Sequence, residues 1–109
     1  MPRRCAWRWR AALVLSLTAT STLGAAPATH TVAIDGFVFR PAVISVRVGD
    51  TITWRNADPV AHTVTEKTAG LDSGDIAAGG AFRFVAKRKG RYTYVCTLHP
   101  TMRGELVVE

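Results

Sequence analysis

Short runs of alternating apolar and polar residues restrict what this chain can fold into. Between Val43 and Val48, the residues Ile44, Val46 and Val48 stand on one face and Ser45 and Arg47 on the other. Ile52 and Trp54 keep the period through Thr51–Trp54, Ala81–Val85 alternates again, and Tyr92, Tyr94 and Cys96 alternate with Thr93 and Val95. Successive side chains of an extended chain point to opposite faces, so each run lays an apolar row along one side of a strand. Gly49-Asp50, Asn56–Pro59 and Lys87–Gly90 supply turn and breaker residues between the runs. Thr31–Ile34, the β-branched run His62–Thr65 and Gly104–Val108 add further short strands, whereas 68–80, rich in Gly and Ala without a period, reads as a loop. About seven to eight short strands, with turn signals roughly every 8–12 residues and no four-turn helix, make the chain all-β: an antiparallel sandwich or a small barrel.

The first residues do not share this pattern. Arg3, Arg4, Arg8 and Arg10 precede a short apolar stretch from Ala11 to Leu17, and the small-residue segment that follows ends in Ala26-Pro27-Ala28. A charged start, a short apolar run and a small-x-small site are the parts of a secretory signal peptide. The apolar run is far short of the ~20 residues of a membrane span. The division is therefore a signal peptide over 1–28, cleaved after Ala28, and one domain over 29–109, exported to the periplasm and free of membrane spans. Cleavage after Ala25 or Ala26 and an uncleaved anchor are the alternatives.

Removing the leader changes how the charge is understood. The formal net charge of the 109 residues is +6, but four of the 14 Lys and Arg residues lie in the leader. The remainder carries only about +2 and has no basic stripe interleaved with aromatics, so a nucleic-acid partner is excluded as a reading. Cys5 leaves with the leader, and Cys96 becomes the single thiol of a domain in an oxidising compartment. It cannot form an internal disulfide and needs another reason to be there. A domain of this size has a modest core, and a bound metal can add its binding energy to folding.

Metal ligation supplies the reason. Cys96, His99 and Met102 stand three residues apart at the end of the last alternating run, and His62 lies 34 residues upstream, just after the Asn56–Pro59 break. A His₂Cys set with a weak axial Met is the ligand set of a type 1 copper electron-transfer site. Thiolate and thioether favour Cu(I) and imidazole also suits Cu(II), so the mixture keeps both oxidation states accessible. Four protein ligands leave no open position for a substrate, which argues for moving an electron and against an enzyme. Thr63 is the expected backbone donor to the Cys96 sulfur, with its hydroxyl bracing the Cys96 loop. Three other readings compete. Zinc is disfavoured by Met102, a poor zinc ligand; a Cys/His nucleophile leaves Met102 unexplained and has no orienting carboxylate near His99; a copper-delivery protein would have the same ligands. His30 has no partner at metal-ligand spacing and is read as exposed or disordered.

The run from Tyr92 to Glu109, through Cys96-Thr-Leu-His99-Pro-Thr-Met102-Arg-Gly104, together with Val48-Gly-Asp-Thr-Ile-Thr-Trp54, resembles the cupredoxins, and among them the amicyanins. The likeness runs from about Thr31 to Glu109. It implies an antiparallel Greek-key β-sandwich, one type 1 copper on His62, Cys96, His99 and Met102, a monomer, and redox partners such as a c-type cytochrome or a periplasmic dehydrogenase. Ala61, Thr63, Leu98 and Thr101 depart from the amicyanin pattern. The solvent-facing histidine is the electron port in such proteins; here that is His99, ringed by Leu98, Pro100, Val60 and Pro59. The basic turn Lys87-Arg88-Lys89 with Arg91 is a solvated turn or, if functional, a site that steers an acidic partner.

Overall fold

The alternating runs pair into two stacked sheets. The computed structural model describes residues 2–3, 11–20 and 24–109; Cys5 and the arginines Arg4, Arg8 and Arg10 lie outside the described residues. Nine strands follow in chain order among them: β1 (Thr29–Ile34), β2 (Phe39–Arg40), β3 (Val43–Val46), β4 (Thr51–Asn56), β5 (Thr65–Glu66), β6 (Leu71–Asp72), β7 (Ala81–Val85), β8 (Gly90–Cys96) and β9 (His99–Val108). One sheet has the order β2-β1-β4-β7 and the other β3-β9-β8-β5-β6. The all-β expectation stands, with two of the pairings, β1 with β4 and β3 with β9, running parallel.

The buried rows are those the alternation marks. Ile44 and Val46 of β3, Ile52 and Trp54 of β4, and Tyr94 and Cys96 of β8 all face the core, joined by Val32 and Ile34 of β1 and Leu106 and Val108 of β9. The sheets are locked by aromatic side chains: the Tyr94 ring meets Trp54 edge-on at 5.6 Å and Phe39 at 4.8 Å. Burial pushes the Tyr94 phenol up to about 12. Gly104 lets β9 pass this ring, because a Cβ there would lie 2.3 Å from it.

Four expectations are corrected. Val48 is not part of the β3 apolar row; it lies beyond β3 in the Arg47–Asp50 turn and is exposed. Asn56 is not part of the break but the last residue of β4, buried, with its side-chain amide donating to the carbonyls of Val60 and Ile76. The 68–80 stretch is not featureless: it holds part of a 3₁₀ turn (Lys67–Ala69), β6, and Ile76, which forms an isolated bridge with His62. His30 is neither exposed nor disordered; it sits half-buried in β1 with Nε2 2.9 Å from Asp50.

These details place the site. β4 and the parallel β1 finish together, Ile34 opposite Asn56. From that end the loops Asp35–Val38 and Ala57–His62 extend toward the β8–β9 hairpin. Ala28, Arg47, Asp50 and the approach to Gly90 lie at the other end, where Ala28 meets Asp50 and Gly49 meets Ala86.

Candidate metal centre

Cys96 is the last residue of β8 and His99 the first of β9, so the expected ligand loop is a hairpin whose two turn residues are Thr97 and Leu98. Pairing jumps from Val95↔Arg103 to Cys96↔His99, and Pro100, Thr101 and Met102 have no opposing residues on β8. This irregularity turns the strand within three residues, which is how ligands so close in sequence gather at one point. His62 arrives from the other side of the site, held on both backbone groups by Ile76: its N–H donates to the Ile76 carbonyl at 3.1 Å and its carbonyl accepts from Ile76 at 2.7 Å.

The result is a compact three-ligand cluster. Cys96 Sγ lies 3.8 Å from His62 Nδ1 and 3.6 Å from His99 Nδ1, and all three ligand atoms lie within 4.8 Å of one another. Ligands sharing one ion, with bonds of roughly 2.3 Å to sulfur and 2.0–2.1 Å to nitrogen, stand roughly 3.6–3.8 Å apart. The separations found are those of a group arranged around a single metal. His62 and Cys96 are fully buried and His99 is half-buried. Met102 is buried in the core on the same strand as His99.

The surrounding hydrogen bonds fix the donors. The Thr63 N–H donates to Cys96 Sγ at 3.3 Å, as the sequence suggests. Thr63 Oγ1 accepts the Thr97 N–H at 2.8 Å and lies 3.0 Å from the Thr97 hydroxyl, tying the hairpin to the segment that follows His62. His62 Nε2 pairs with Asp58 Oδ2 at 2.8 Å. That partner places the proton on Nε2 and leaves the Nδ1 lone pair facing Cys96 Sγ. Burial raises the Asp58 carboxyl, but the N–H groups of Phe37 and Gly36 and the His62 ring outweigh it and hold the group below the usual carboxylate range.

The Cupredoxin-like domain family matches residues 9–108. The chain belongs to the cupredoxin-like family. Among curated relatives it is 40% identical over 73 residues to amicyanin of Paracoccus denitrificans, a stretch covering 61% of this chain and 54% of that protein. It is 28% identical over 113 residues to amicyanin-alpha of Methylorubrum extorquens, covering 91% and 95%. The chain thus spans about half the length of the first cupredoxin and nearly all of the second. A solved amicyanin mutant in its Cu(I) form superposes with a TM-score of 0.70 at 33% identity, covering 78% of this chain and 86% of the other. An oxidised amicyanin mutant gives 0.69 at 33%, covering 74% and 82%. As a cupredoxin, the chain is most like the amicyanins.

Two residues of this cupredoxin site escape a reading of the sequence. Asp58 looks like part of a strand-breaking turn; its position four residues before a histidine ligand was the available signal, since a ligating imidazole usually gives its second nitrogen to a carboxylate or carbonyl. Phe37 has no sequence signal. Its ring stands edge-on to His62 at 5.1 Å and to His99 at 5.0 Å. Leu98, Pro100, Val60 and Pro59 are exposed, as are Val38 and Phe37, whose ring meets the half-buried His99.

Proposed function

We propose that this cupredoxin is a type 1 copper protein that passes single electrons between redox proteins in the periplasm. His62, Cys96 and His99 would hold the copper as strong ligands, with Met102 as a weak fourth one. The observation that carries the reading is the cluster of one cysteine sulfur and two imidazole Nδ1 atoms at single-ion separations. Copper bound there supplies a one-electron Cu(II)/Cu(I) couple. The chain's own residues do the rest. The Thr63 N–H stabilises negative charge on the Cys96 sulfur, Asp58 holds the His62 tautomer, and the two sheets keep the ligands in place whichever oxidation state they serve.

His99 is the electron port. It is the ligand with an exposed edge, and the apolar residues around it suit brief docking over a small interface. A c-type cytochrome and a periplasmic dehydrogenase are the partner types proposed, with a monomer as the working form. Residues 1–28 act as the export leader; no helix among the described residues is long and apolar enough to cross a membrane. The buried His62 and Cys96 favour the shuttle over a delivery protein, since delivery requires ligands that a recipient can reach.

Titration of the metal-free protein with Cu(II) tests this. One equivalent should produce an intense thiolate-to-copper absorption that Cys96→Ser abolishes, with reversible reduction and fast self-exchange. A colourless protein holding one zinc refutes the proposal; sluggish redox with ready metal transfer shifts the assignment to delivery.

A further inference from the structure

Phe37 has φ of 60°, the one positive value at a non-glycine position among the described residues. That region disfavours a side chain, and a phenylalanine held there has a reason in its surroundings. The backbone is held by Asp58, which accepts the Gly36 N–H at 2.7 Å on Oδ1 and the Phe37 N–H at 2.9 Å on Oδ2. The same Oδ2 atom pairs with His62 Nε2. One carboxylate therefore sets the Phe37 turn and the His62 ring relative to each other.

The ring that this turn presents closes a triangle. Phe37 lies 5.1 Å from His62 at an interplanar angle of 90° and 5.0 Å from His99 at 87°, while the imidazoles lie 5.0 Å from each other at 60°. His99 is the one member of the His62–Cys96–His99 cluster that is not fully buried, so the cluster is weakest on its side.

Resting on the copper reading above, we propose that Phe37 is a positioning residue whose ring, held in the left-handed conformation by Asp58, packs against both His62 and His99, keeps His99 Nδ1 turned toward Cys96 and so retains the ion. The strained backbone is maintained for that contact. The residue sets how long copper stays, which is the property separating an electron shuttle from a delivery protein.

The test uses the full copper-loaded protein and a Phe37→Gly variant. Glycine accepts the positive φ freely, so the metal-free variant should melt no lower than wild type even though the ring is gone. Loss of Cu(II) to excess EDTA should accelerate about tenfold or more, the size usual for losing a residue that orients a ligand. The thiolate-to-copper absorption and the electron paramagnetic resonance spectrum should change from one species to a mixture, and Phe37→Leu, which restores bulk, should lie between. A Phe37→Gly protein with wild-type release and an unchanged spectrum overturns the inference alone. A wild-type protein with no thiolate-to-copper band overturns the copper reading, and this inference with it.

Discussion

Asp58 Oδ2 lies 2.8 Å from His62 Nε2, four residues apart in sequence and both out of reach of solvent. With its proton held on Nε2, His62 has one nitrogen left for a metal, the one facing Cys96. Asp58→Ala removes this partner and also frees the N–H groups of Gly36 and Phe37. Copper affinity is expected to fall about 10–100-fold, measured by competition with a chelator. Asp58→Asn, able to accept through its amide oxygen, should lose less. Equal affinity in wild type and Asp58→Ala would mean that packing alone orients the imidazole.

Thr63 makes two separable contributions. Its N–H points at the Cys96 sulfur, whereas its hydroxyl accepts from the Thr97 N–H. Thr63→Ala keeps the first and leaves the second donor unpaired, which should destabilise the protein by about 1–2 kcal/mol in denaturant unfolding. Thr63→Ser should recover most of that. The energy of the thiolate-to-copper band should barely move in either variant, because the sulfur keeps its backbone donor. A large shift would assign the tuning to the hydroxyl.

What was legible in the sequence follows from which interactions are periodic and which are not. Ile44, Val46, Ile52, Trp54, Tyr94 and Cys96 face inward as their period-two spacing demands, because each needs only its own strand to be extended. Cys96 and His99 stand out by chemistry and spacing and His62 by its place after a break, and the fold brings these three together. Asn56 and Asp58 look like breakers because their side chains do act locally, but here they satisfy carbonyls and N–H groups of segments distant in sequence. His30 belongs to the same class: its partner, Asp50, is 20 residues away. Side-chain hydrogen bonds between loops leave no period to read, and at this site they orient the ligands.

The basic turn and His99, the proposed electron port, are at opposite ends. Lys87, Arg88 and Lys89 precede Gly90, while Cys96 and His99 close the far end of β8, so about 20 Å of strand separates them. This exceeds two Debye lengths at physiological ionic strength, about 8 Å each. Arg88 is moreover engaged with the Thr68 carbonyl at 2.9 Å, and Arg91 pairs with Glu105 at 2.7 Å. Lys87→Glu with Lys89→Glu should therefore change electron-transfer rates through His99 by less than about threefold at 0.15 M salt, whereas Leu98→Asp, beside the port, should lower them about tenfold or more by placing an unpaired charge in the docking face. Stopped-flow kinetics against a c-type cytochrome distinguish the two. A tenfold loss in the double Lys variant would relocate part of the partner contact to the far end.

Asp50 ties that far end together, and its behaviour in acid follows from its donors. The N–H of Ala28 at 2.9 Å and of Arg47 at 3.0 Å, with His30 Nε2 at 2.9 Å, lower its carboxyl from the ordinary 3.8 to about 2, despite the opposing effect of burial. A carboxyl that releases its proton more readily folded than unfolded stabilises the folded state above its unfolded value. The stabilisation is thus complete above about pH 4 and is lost as pH falls from there toward 2. Asp50→Asn should be less stable than wild type at pH 7, and the difference should shrink across that window in thermal melts. The strongest of these contacts comes from Ala28, whose carbonyl also accepts the Thr51 N–H at 2.9 Å. A chain beginning at Ala26 keeps both bonds; one beginning at Thr29 has neither. The shorter chain should melt lower at neutral pH and begin losing stability at a higher pH on acidification, because Asp50 has lost its first donor. Identical acid profiles for the two chains would mean that Arg47 and His30 hold the carboxylate unaided.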